Sequence, residues 1–280
     1  MPKLKLTPTN QLTLFLVIFA GLATYFNFPN AQSALLWHLL ETVGLGLLLY
    51  AVFSRFATTR HQFQNTLITT LIIYLVLHYP LGTTDHYITI IATTVAMIAK
   101  FFFGPASRFA TGLNPAVFGL LVSAVGFRVL TEINSAFLSW WGTNFQGALS
   151  LALLLLWTLV GLAKWRKLAI VGAFLLSHYL ILAFTGTAPE TLNFIFTDGT
   201  IYFLAAIMLV EPRTSPLLTW QQVTYGLAAA LFLNLFYAFE LPYTEVLSIA
   251  AANLYFQAIK KRPKPKPQPP QPTPPTNDQA

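Results

Sequence analysis

Cysteine is absent from this chain, which excludes disulfides, thiol nucleophiles and cysteine-held iron–sulfur clusters. Charge is scarce as well: 9% of residues are Asp, Glu, Lys or Arg, against ~25% in a typical soluble domain. No G-x-G-x-x-G follows a strand-like pattern, so the usual nicotinamide-binding turn is missing. Five histidines are present, His38, His61, His78, His86 and His178, yet no helix carries two on one face, which disfavours a haem held between paired imidazoles. His178, in the middle of LLSHYL, is the one most worth following. Long polar stretches are also lacking. The longest, 260–280, is KKRPKPKPQPPQPTPPTNDQA, too rich in proline to fold and expected to be extended, as a charge anchor or a docking arm.

What the chain has instead is apolar sequence, 55% of its residues. Apolar stretches fall at roughly 11–29, 33–53, 63–80, 86–103, 112–130, 146–163, 168–185, 190–210, 218–238 and 242–258. Each approaches the ~20 helical residues that a bilayer core requires. Of the 16 Lys and Arg, only Arg128 falls outside one alternating set of connections and ends. Cytoplasmic loops concentrate these residues, so the pattern predicts ten crossings of a prokaryotic cytoplasmic membrane with both termini inside. The net charge of +7 then belongs beside anionic lipid head groups, and no nucleic-acid partner is expected. The predicted fold is all-α and polytopic: a cytoplasmic N-terminus at 1–10, a transmembrane domain at 11–258 and a disordered basic tail at 259–280. The start follows two lysines, but no A-x-A-like site follows Phe28, so the first apolar stretch reads as span one.

Acids inside apolar spans are costly, ~2.5 to 3.5 kcal/mol at a helix centre on the insertion scale. Glu41 and Asp198 each lie eight residues from the outer end of their span. That places both ~12 Å deep at ~1.5 Å per residue, and they are candidates for an ion pathway. The alternative is local capping, of Glu41 by His38 three residues earlier and of Asp198 by neighbouring amides.

Two segments interrupt the apolar pattern. KFFFGPASRFATGLNPAVFGLL contains Gly104, Pro105, Gly112, Asn114 and Pro115; it reads either as broken helix lining a cavity or as a loop with Asn114 capping span five. Asp198-Gly199-Thr200 breaks span eight, and Glu211 to Pro216 forms the next cytoplasmic turn. Ten spans with special segments at five and eight suit two five-span halves, at about 11–130 and 146–258, in opposite orientations.

The order K-x-x-F-G, L-N-P-A-x-x-G and D-G-T-x-x-x-x-A-x-x-M-x-x-E-P-R-T-S-P resembles the NqrB/RnfD family. This family contains integral-membrane components of the Rnf electron-transport complex and of the sodium-pumping NADH:quinone reductase. The resemblance runs through Lys100, Asn114-Pro115-Ala116 and Met208 to Pro216, with Glu211 where an aspartate is usual, and covers about 11–258. It implies a urea-transporter-like fold of two inverted five-helix repeats, a membrane-held flavin, and electron transfer coupled to sodium or proton movement. The family carries FMN on a threonine in a motif ending like S-G-A-T. Here TEINSAFLSWWGTNFQG offers Thr143 without that consensus, so the expectation is FMN or riboflavin held non-covalently. Lys100, Asn114, Pro115, Asp198, Gly199, Thr200, Arg213, Thr214 and Ser215 are its candidate contacts. Phe101 to Phe103 could stack on the ring, while Trp140-Trp141 reads as an interface belt.

What the resemblance implies is a membrane subunit of a flavin-dependent electron-transport complex, partnered by other subunits and by an NAD(P)H-oxidising flavoprotein. At most it is one part of an oxidoreductase or translocase. The alternatives are a solute or ion channel on the same scaffold, and a structural component with neither activity.

Overall fold

Pro29 has no N–H to donate to the carbonyl of Tyr25, and two residues later the first helix breaks. The computed structural model describes residues 7–56, 63–103, 113–131, 138–211 and 214–259. In it α1 (Pro8–Leu39) begins at the Thr7 cap, whose hydroxyl accepts the Asn10 N–H at 3.3 Å, with Pro8 in the first turn. At Ala31, φ −149° and ψ 40° leave the helical region. The helix then continues through a π turn at Leu40–Gly44 into α2 (Leu45–Phe53). As one straight rod these 46 residues would measure about 69 Å, more than twice a bilayer core. The kink at Ala31 divides them near the midpoint, where the gap between the first two predicted spans lies.

α3 (Phe63–Val76) is shorter than the 63–80 span predicted for it. Long-range contacts end it: Leu77 forms an isolated antiparallel bridge with Leu138, and the Trp140 N–H donates to the Val76 carbonyl at 3.0 Å. Tyr79 precedes Pro80, which also disfavours helix. From Ile68 to Leu77 every residue is buried, so α3 runs through the interior. α4 (Thr83–Ile98) opens with the Asp85 carboxylate accepting the Leu81 and Gly82 N–H groups at 3.0 and 3.1 Å. It ends in a π turn at Ala99–Phe103. α5 (Pro115–Thr131) starts as the capping reading of Asn114 expects, with Asn114 Oδ1 accepting the Ala116 N–H at 2.9 Å.

The second half comprises α6 (Ala148–Leu156), a π turn at Trp157–Leu162, α7 (Ala163–Trp165), α8 (Leu168–Phe184), α9 (Pro189–Thr197), α10 (Gly199–Phe203), a further π turn at Leu204–Met208, α11 (Thr219–Ala238) and α12 (Thr244–Ile259). The chain bends by 54° between α9 and α10. No residue of α9 is buried, whereas Phe203 to Val210 are wholly so.

In the first half α3 packs on α1, α4 on α2 and α5 on α4; in the second α10 packs on α6, α11 on α8 and α12 on α11. Between the halves α5 meets α12, and α1 meets the Trp157–Leu162 turn. The two most extensive pairings close at glycines. A Cβ on Gly119 of α5 would lie 2.3 Å from the Ala92 carbonyl oxygen of α4, and one on Gly226 of α11 would lie 2.6 Å from that of Ile170 in α8. Such small-residue contacts let helix backbones approach closely where association relies on packing.

Large apolar side chains are not confined to the core. Leu227, Leu231 and Leu235 form an exposed stripe along α11, and Leu155, Leu156, Leu159 and Val160 another across α6 and its π turn. A helix apolar on every side is one whose surroundings are apolar too. By length and composition, two helices are fit to cross a membrane, Pro8–Phe53 and Ala148–Trp165, or three if the bent α9–α10 pair counts as one. The described residues contain no β-strand.

Candidate functional site

The break at Asp198 follows from three side-chain properties. Asp198 leaves the helix with ψ 131°, and its Oδ1 accepts the Thr200 N–H at 2.6 Å, which caps α10. Gly199 has no side chain because there is no room for one: a Cβ would lie 2.0 Å from the Thr143 carbonyl oxygen. Thr200 completes the junction, with its hydroxyl 3.2 Å from that of Thr143. The capping reading of Asp198 therefore holds at one carboxylate oxygen.

The same aspartate lines a half-open cavity of about 550 Å³ bordered by α8, α9, α10, α11 and the start of α12. A second carboxylate, Glu245, enters it from the first turn of α12 and accepts the Tyr237 hydroxyl at 2.5 Å. His178 lines it as well; its Nδ1 accepts the Asn234 amide N–H at 2.9 Å, which leaves the ring proton of the neutral form on Nε2. Thr187 and Thr191 add hydroxyls. Two acids, a phenol, an imidazole and several hydroxyls in one chamber can attract, hold and relay a small cation or a proton. Among the described residues no three His, Asp or Glu converge as a chelating set.

Glu41 does not line this cavity. Its partner is not His38, as the capping alternative has it, but His86 of α4, whose Nδ1 lies 2.5 Å from Glu41 Oε1. The π turn at Leu40–Gly44 widens the local spacing, so residues three apart no longer stack, and Glu41 turns to the neighbouring helix. His38 is fully buried and reaches the Tyr74 carbonyl through Nε2 at 3.0 Å.

The other candidates are dispersed. Lys100 is buried in the first half, where its ammonium donates to the Asn65 carbonyl and, at 2.8 Å, to the Thr69 hydroxyl. Asn114 and Pro115 begin α5. Thr214 and Ser215 fold back on Glu211: Thr214 Oγ1 donates to Glu211 Oε2 at 3.2 Å and Ser215 Oγ to the Glu211 carbonyl at 2.8 Å. Lys167 seals this turn, donating to Ser215 Oγ at 2.9 Å and to the Pro216 carbonyl at 2.5 Å. Burial pushes the Lys167 ammonium down from 10.5 to about 8. Arg213 and the stretch 104–112 lie outside the described residues.

Trp140 and Trp141 are not a surface belt. Trp140 is 6% exposed and lines the cavity, and Trp141 Nε1 donates to the Tyr74 carbonyl at 2.8 Å. The Phe101 and Phe102 rings pack edge-on against Phe53. Sequence reasoning missed Glu245 and Tyr237, since an acid at a helix start reads as a favourable dipole partner and a tyrosine near a span end as an anchor.

The fold and cavity define an all-helical protein with apolar helices fit to cross a membrane and a carboxylate-lined chamber at a broken helix. Compared with known proteins, the chain matches no family model and no curated relative.

Proposed function

We propose that the chain is a ten-span protein of the prokaryotic cytoplasmic membrane, built as two inverted five-helix repeats. In this reading it serves as the ion-handling membrane component of an electron-transport complex of the NqrB/RnfD kind. The repeated packing of helices one on three, two on four and four on five in each half supports the five-plus-five reading. The breaks in the third helix of each half differ in position, at Val76 and at Asp198. The alternation of basic loops supports the orientation.

The observation that carries the functional reading is the chamber between Asp198 and Glu245. On the proposed topology it faces outward. A carboxylate pair below the membrane surface is the feature an ion path needs and a purely structural bundle would lose by selection for stability. Sodium or protons are the matching cargo.

FMN is the cofactor the resemblance implies, and the chamber is a poor place for its phosphate. Its phosphate would meet Asp198 and Glu245 in the chamber, while Thr214 and Ser215 are turned onto Glu211. Riboflavin, which has no phosphate, escapes that repulsion. With no nicotinamide-binding turn in the sequence, this reading has electrons enter through partner subunits, an NAD(P)H-oxidising flavoprotein among them.

Affinity purification of the tagged chain from native membranes tests this. The reading expects co-purifying subunits with NAD(P)H oxidation that drives cation movement in vesicles. A protein that purifies alone and by itself makes liposomes permeable to small solutes supports instead a channel on the same scaffold, which the open chamber also suits.

A further inference from the structure

A second cavity, of about 410 Å³, lies where the two halves meet, between α1 and the α6–α7 segment. Its walls are Phe15 and Ile18 on one side and Leu156, Trp157 and Val160 on the other. Phe15 and Trp157 stack across it with ring centroids 4.7 Å apart. Gly161 keeps it open: a Cβ there would lie 2.8 Å from the Trp157 ring, which could then no longer lie along the turn. Ile18, Leu156 and Val160 are 52%, 58% and 63% exposed, so the groove faces the protein's surroundings rather than its core.

One end of this groove is polar and cationic. Gln11 and Lys164 line it, and Gln11 Oε1 accepts the Trp165 indole N–H at 3.2 Å, which ties the start of α1 to α7. Arg166, which follows Trp165, is exposed like Lys164. Lys167, the third cation of the cluster, points inward to Ser215 and takes no part. The basic-loop pattern assigns this end to the cytoplasmic side, the side on which anionic lipids meet basic pockets between helices.

We propose that this groove binds one anionic phospholipid of the cytoplasmic leaflet, with an acyl chain lying between α1 and α6 and the phosphate between Lys164 and Arg166. The inference rests on the membrane reading above. A neutral lipid would fill the walls equally well, but only an anionic head group answers the Lys164 cation that lines one end of this apolar slot, with the exposed Arg166 two residues further along the chain. Because the slot is formed by one helix from each half, its occupant covers apolar surface on both and favours their association.

The test is native mass spectrometry of the purified full chain released from vesicles of equal phosphatidylglycerol and phosphatidylcholine. The expected result is one retained phosphatidylglycerol per chain, preferred by about tenfold or more. The double substitution K164E/R166E, at exposed positions, should abolish the preference and leave the fold intact. Val160→Trp, which fills the slot without touching the cations, should displace the lipid. Equal retention of both lipids by the wild type, or an unchanged preference in K164E/R166E, would overturn the proposal. If the chain fails to partition into membranes at all, the ten-span reading falls with it; if it partitions but retains no preferred lipid, the site alone is refuted.

Discussion

Gly199 sits so close beneath Thr143 that a Cβ added to it would come within 2.0 Å of the Thr143 carbonyl oxygen. The contact joins the first turn of α10 to the short 3-10 turn at Trp141–Thr143, in the segment connecting the two halves.

Gly199→Ala should therefore force the two backbones apart. The cost expected from overpacking is about 1–3 kcal/mol, read as a lower Tm in detergent. Since Asp198 is the adjacent cap, ion-coupled activity should fall as well. An unchanged Tm would mean that the junction relaxes freely.

Asp198 combines a cap and a charge, and two substitutions separate them. Asn caps helices as well as Asp does, so Asp198→Asn should keep the Tm near that of the wild type while abolishing coupled cation movement in membrane vesicles. Asp198→Ala should lose the movement and about 0.5–2 kcal/mol of stability besides. Full transport by Asp198→Asn would remove the carboxylate from the path.

Lys167 gives the stability a pH dependence. Its folded value, about 8, lies below its ordinary 10.5, so between these two values the unfolded chain holds a proton that the folded chain does not. Stability from this group therefore rises with pH across that window, and below it the buried ammonium opposes folding. Lys167→Met removes the charge while keeping much of the length. The Tm of the wild type relative to Lys167→Met should climb from pH 8 to pH 10.5. A flat difference would show that the Ser215 and Pro216 contacts hold the ammonium charged throughout.

The surroundings of Thr143 favour the non-covalent mode proposed for a flavin. The threonine is fully buried, and its hydroxyl donates to the Trp140 carbonyl at 2.8 Å. Any flavin that purifies with the chain should therefore be released by acid precipitation, with its absorbance in the supernatant. Colour retained in the pellet would contradict this.

The parts of the fold legible in the sequence were those decided locally. The division near Ala31, the cap at Asn114 and the break at Asp198-Gly199-Thr200 each depend on proline, glycine or a capping side chain within a few residues. The early end of α3 was legible only in part: Pro80 signals it locally, whereas Leu138 and Trp140 fasten it from more than sixty positions away in the chain. The chamber was half legible. Asp198 and His178 stand out as polar groups in apolar runs, whereas Glu245 and Tyr237 acquire their meaning only when α11 and α12 bring them opposite Asp198. Glu41 shows the converse failure: local spacing points to His38 as its partner, but a neighbouring helix supplies His86.

The connector at 138–147 touches one broken helix of each half. Trp140 holds the end of α3 through its N–H, and Thr143 holds the start of α10 through its carbonyl contact and its hydroxyl. It is thus a strap across the seam. Were either bundle to rock against the other, the displacement would be delivered within one residue of the Asp198 carboxylate, and a mechanical event would be felt as a change in that carboxylate's surroundings.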